Sequence, residues 1–84
     1  MHDHLVYSVT PLRNYKLFVV FKDSAERVYD VRPLFSEIPA FQRLQNDREL
    51  FFSVRPEFNG NAIIWDDELD LASDELFENG VELF

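Results

Sequence analysis

The stretch Tyr15-Lys16-Leu17-Phe18-Val19-Val20-Phe21 constrains this chain more than any other. It is a β-branched and aromatic run with five consecutive apolar residues, and it reads as a central strand. Its two faces, Tyr15/Leu17/Val19/Phe21 and Phe18/Val20, are both apolar, so a sheet built around it needs cover on each side, from helices or from a second chain. The whole chain has 84 residues. A chain of that size buries only about 60–65% of the surface that its unfolded form exposes, so residues 1–84 are expected to form one domain with one core and little material for a deep catalytic cleft.

Neighbouring segments extend the β pattern. Leu5 to Val9 reads as a first strand, closed as a turn by Pro11 and Arg13-Asn14. Asp23-Ser24-Ala25-Glu26 is a connection of hairpin length, and Arg27-Val28-Tyr29-Asp30-Val31 resumes the strand pattern, making residues 15–31 an antiparallel hairpin that ends at Pro33. Asp30 stands where a carboxylate can accept from the backbone N–H groups of the following turn. Leu34-Phe35 and the Phe41/Leu44 pair predict short helical turns on either side of Pro39, and Asp47 can cap another through Leu50-Phe51.

From Val54 the β pattern returns, with Pro56 at an edge or bulge, and Asn59-Gly60 is the strongest turn signal in the chain, answered by Ala62-Ile63-Ile64-Trp65. Ser73 before Asp74-Glu75 reads as a helix N-cap, and Gly80 stands where a helix end favours positive φ, which predicts a helix over residues 74–79. The expected fold is α+β: a small antiparallel sheet of about four to five strands built from two hairpins, with short helices.

Charge divides the chain unevenly. Residues 1–55 hold all eight bases against seven acids, a net of +1, whereas residues 56–84 hold nine acids and no base, a net of −9. An acidic segment of this kind repels phosphate backbones, which sets DNA and RNA aside as partners of the isolated chain. A basic protein is the natural inverse, and a solvated, solubilising face is the alternative.

Little in the sequence supports chemistry. There is no cysteine, hence no disulfide, thiolate nucleophile or cysteine-bound zinc. The only histidines are His2 and His4; His2-Asp3-His4 at the N-terminus falls short of the three or four preorganised ligands of a metal site and reads as a frayed end. Asp66-Asp67-Glu68-Leu69-Asp70 is rich in oxygen ligands but lacks the sixth-position glycine and twelfth-position glutamate of an EF-hand loop. Two glycines in the whole chain leave no phosphate-cradling loop. These features predict neither an enzyme nor a bound cofactor or metal. The N-terminus lacks the pattern of a signal peptide, and no apolar run reaches the roughly 18 residues of a membrane helix, so a cytoplasmic location without membrane contact is expected.

Taken in order, Tyr15-x-Leu17, Phe21-x-Asp23, Tyr29-Asp30-Val31-x-Pro33-Leu34, Phe41-x-x-Leu44, Phe51, Val54, Ile64-Trp65, Asp70-Leu71 and Leu76 resemble a bacterial family of domains of unknown function, numbered 2442, from about Val6 to Gly80. The chain departs from that pattern at Ser24, where the family usually has a hairpin glycine, and at Asp66, where it often has proline. The resemblance implies a small α+β domain without established enzymatic activity. It also implies a gene neighbour from a second small family, numbered 4160, in an arrangement like that of a toxin–antitoxin pair.

Two functional expectations follow. The first is a non-enzymatic interaction module, antitoxin-like, whose acidic half binds a basic protein through Asp66, Asp67, Glu68 and Asp70 beside Trp65. The second is a small-molecule binding domain with an aromatic pocket near Trp65. An uncovered strip at Phe18 and Val20 further predicts a homo-oligomer or a permanent complex.

Overall fold

The computed structural model describes residues 4–83. Lys16–Phe21 forms β2, flanked by β1 (Val6–Leu12) and β3 (Glu26–Asp30), and a short β7 (Val81–Glu82) completes an antiparallel sheet in the order β1-β2-β3-β7. Along β2, Leu17, Val19 and Phe21 are buried while Phe18 and Val20 are half-buried, so only one of its two apolar faces enters the core. β1 runs through Pro11 instead of stopping before it. An edge strand tolerates this, since a proline on the open side has no N–H in need of a partner. The chain then turns through Arg13–Tyr15 with both Asn14 (φ 62°) and Tyr15 (φ 59°) in the left-handed region.

A second antiparallel sheet has the order β4-β5-β6, from β4 (Arg55–Pro56), β5 (Ala62–Asp66) and β6 (Leu69–Ala72). The Asn59-Gly60 signal lies in the loop between β4 and β5: Gly60 has φ +81°, and the Asn59 side chain accepts from the Asn61 N–H at 3.0 Å. The Gly60 carbonyl accepts from Val6 N–H at 2.8 Å, which joins the two sheets. The α+β class and the antiparallel pairing are as the sequence predicts, the described residues forming seven strands divided between two sheets. That reading missed the two-residue β7 and also β6. Its Leu69-Asp70-Leu71-Ala72 alternates buried and exposed residues, a period-2 signal masked by the surrounding acids.

Between the sheets in sequence lie α1 (Leu34–Glu37), a 3₁₀ turn at Pro39–Phe41, α2 (Gln42–Asn46) and α3 (Arg48–Phe52). They flank Pro39 as expected, and Asp47 caps α3 by accepting from Leu50 N–H at 3.1 Å. These turns set Leu34, Phe35, Phe41, Leu44 and Phe51 into one cluster with the inward residues of both sheets.

The last helix, α4 (Ser73–Asn79), corrects two expectations. Ser73 is its first residue, not its cap; the cap position is Ala72, without a side-chain hydrogen bond, and buried Ser73 gives its N–H to the Asn61 carbonyl at 2.8 Å. Gly80 is extended, φ −76° and ψ 163°, because the chain passes directly into β7 without a left-handed turn. Glycine is needed there for space: a Cβ would lie 2.5 Å from the Leu76 carbonyl oxygen and 2.8 Å from Arg27 Cβ.

Candidate interaction surface

The acidic run Asp66-Asp67-Glu68 is the turn of the β5–β6 hairpin. Asp66 shapes it: one carboxylate oxygen accepts from the N–H groups of Glu68 (2.9 Å) and Leu69 (3.1 Å), and the other from an Arg43 Nη at 2.6 Å. The Glu68 backbone N–H first, then the Arg43 guanidinium, hold the Asp66 carboxyl below the usual carboxylate range. Arg43 also pairs with Glu68 at 3.1 Å. Part of the predicted acidic patch is therefore balanced from within the chain by an arginine of α2, while Asp67 and Asp70 stay exposed.

Trp65 lies apart from these acids, in the core. It is 2% exposed, its Nε1 donates to the Phe51 carbonyl at 3.1 Å, and its ring meets Phe41 edge to face. A ring so enclosed presents no open face to a ligand, and its role here is packing.

The open surface is elsewhere. On the outer side of the four-stranded sheet, the register sets Thr10, Phe18, Val28 and Val81 in one row across the strands. Phe18, Val20 and Val28 are half-buried and lie outside the core cluster, and Val81 is 68% exposed. β7 pairs with β3 only at Arg27 and Val28, so the edge of β3 is open beyond them. A groove of about 700 Å³ follows this edge. Val28, Leu34 and Val81 supply its apolar lining, and its charged groups are Asp30, Glu37 and Glu75 against Lys16.

Two polar arrangements hold the groove in shape. The Tyr29 hydroxyl donates to Glu75 Oε2 at 2.7 Å, and Asn79 Nδ2 donates to Glu75 Oε1 at 2.9 Å, tying β3 to α4. Burial, reinforced by the Glu75 carboxylate, pushes the Tyr29 hydroxyl above its ordinary pKa. That direction suits a fixed hydrogen-bond donor and opposes a role as general base. Asp30 accepts from Arg32 N–H at 3.0 Å, the turn contact expected from sequence, and also binds the Arg32 guanidinium, which first of all causes holds its carboxyl low. The alternation Arg27-Val28-Tyr29-Asp30-Val31 already separates the two faces of β3. No local signal, however, brings Glu37 and Glu75 to the same groove across 38 residues of sequence.

At the N-terminus His4 stacks on Phe77, with ring centroids 3.4 Å apart, and binds Asp23 at 2.8 Å. His2 and Asp3 of the terminal motif lie outside the described residues. No helix among the described residues is long and apolar enough to cross a membrane.

Comparison with curated proteins and with solved structures finds no match. Comparison with protein families matches residues 6–82 to one described as a protein of unknown function, DUF2442. That match spans almost the entire chain, from the first residue of β1 to the last of β7, and the chain accordingly belongs to this family.

Proposed function

We propose that this chain is a non-enzymatic interaction module that docks a more basic protein, in the manner of the acidic, antitoxin-like member of a toxin–antitoxin pair. The observation that carries the reading is the outer sheet face, where the Phe18-Val28-Val81 row lies outside the core beside a groove with three carboxylates and one lysine. Apolar surface next to excess negative charge suits a partner that brings an apolar anchor and basic side chains. The net charge of −8 favours a basic partner over a second copy, because two such chains repel each other.

The adjacent reading frame is the first place to look for that partner. Co-expression of its product with this chain should give a complex whose affinity falls as salt rises. Phe18→Asp should abolish the complex while leaving a folded domain, because Phe18 is not part of the core. A folded Phe18→Asp variant that binds as tightly as the parent overturns the assignment to this face.

A further inference from the structure

A second concavity, remote from the acidic groove in composition, lies where the β1–β2 turn meets α3. This open cleft has a volume of about 310 Å³ and is lined by Leu12, Arg13, Asn14, Tyr15, Arg48, Phe51 and Phe52. Two arginines and no carboxylate line it, in a chain with twice as many acids as bases. Elsewhere arginines are engaged: Arg32 and Arg43 with carboxylates, Arg27 and Arg55 with backbone carbonyls. Arg13 and Arg48 have no ion pair among the described residues. The Phe52 ring beside them is 45% exposed, and the Arg48 guanidinium lies 5.6 Å from its centroid.

The turn that carries Arg13 is held in an uncommon backbone shape. Left-handed φ is costly for a bulky residue, on the order of 1–2 kcal/mol, yet Tyr15 adopts it at φ 59°. Its ring packs edge to face on Phe35 and Phe51, and its hydroxyl donates to the Gln45 carbonyl at 3.0 Å. Those contacts fix the turn against the helical segment, so Arg13 and Arg48 line one cleft by construction.

We infer that this cleft binds a small organic anion, a carboxylate or phosphate ester carrying an aromatic group, with the anion between Arg13 and Arg48 and the ring against Phe52. Guanidinium groups match the planar oxygens of carboxylate and phosphate with paired hydrogen bonds, and the partly exposed Phe52 ring offers apolar surface to a flat substituent. The volume is at the small end of ligand sites, and a compact ligand such as a substituted benzene fits within it. Binding at this cleft is independent of protein docking on the sheet face.

The test is a titration of the isotopically labelled full chain, followed by backbone amide shifts, with phenyl phosphate, benzoate, phenol and inorganic phosphate as probes at low salt. Phenyl phosphate and benzoate should give saturable shifts confined to residues 12–15 and 48–52, at least tenfold tighter than phenol or inorganic phosphate. The Arg13→Gln/Arg48→Gln double variant, both sites being on the surface, should keep the spectrum of the fold and lose at least tenfold in affinity. The inference is overturned by an absence of saturable shifts, by equal binding of phenol or of inorganic phosphate, or by a folded double variant that binds unchanged. Should that variant fail to fold, the comparison of the four probes on the parent chain decides alone.

Discussion

Ser24 and Gly80 show how differently single residues serve this fold. Ser24 closes the β2–β3 hairpin at φ +77°, a conformation in which a side chain is strained and glycine is not. Replacing it with glycine trades that strain against the greater freedom of glycine in the unfolded chain. Ser24→Gly should therefore stabilise by about 0.5–1 kcal/mol, read as a higher urea midpoint at unchanged slope. A lower midpoint would show that Ser24 contributes contacts that outweigh its strain. Gly80 has ordinary φ and no space, so Gly80→Ala must push Arg27 or the last turn of α4 aside. Overpacking of this kind costs about 1–3 kcal/mol, and a thermal melt within a degree of the parent would exclude it.

Among elements, the junction of β3 and α4 depends on Arg27. It is a charged side chain only 9% exposed, whose Nε donates to the Phe77 carbonyl at 3.1 Å, whose Nη1 donates to the Glu26 carbonyl at 2.9 Å, and whose guanidinium lies 4.0 Å over the Phe77 ring. A cation at the C-terminal end of a helix both pairs with an unsatisfied carbonyl and opposes the helix dipole. Arg27→Ala removes the packing stem and the charged hydrogen bonds together, at an expected cost of about 2–4 kcal/mol. Arg27→Met, which retains the stem, should recover part of that in chemical denaturation. Equal losses for the two variants would assign the whole effect to the guanidinium. The short helices are a different case. Asp47 and its cap were legible in the sequence because the contact spans three residues, whereas the entry into α4 was not, because Ser73 is held by Asn61 of the β4–β5 loop.

At the scale of the whole molecule, charge controls both acid stability and association. Asp23, Asp30 and Asp66 all have carboxyls held below their ordinary values, through the Ala25 N–H, the Arg32 side chain and the Glu68 N–H respectively as first causes. A depressed folded-state pKa gives stability that is fully present above the unfolded value, about 3.9 for aspartate, and is lost as pH falls through the folded value. Unfolding free energy should thus decline below about pH 4, and Asp66→Asn should flatten that decline when urea midpoints are followed against pH; parallel curves for parent and variant would remove Asp66 from the account. For association, a net charge of −8 opposes pairing of two copies through the Phe18-Val28-Val81 row, and salt screens that repulsion. The mass of the isolated chain by light scattering should rise above 10.0 kDa as salt increases, and Phe18→Asp should hold it there. A mass independent of both salt and Phe18 would show that the sheet face does not pair with itself.

The features legible in the sequence are local. Alternation and β-branching name β2, β3 and β5, Asn59-Gly60 names a turn, and Asp47 and Asp30 name their own backbone contacts, because each of these depends on residues a few positions apart. The tertiary structure decided which apolar face of β2 became core, that the acidic run is a hairpin turn tied by Arg43, and that Trp65 packs against Phe41 and Phe51. It also brought Asp30, Glu37 and Glu75 to one groove and Arg13 and Arg48 to one cleft. These outcomes rest on pairings between segments far apart in the chain, and period and propensity carry no information about which segment meets which.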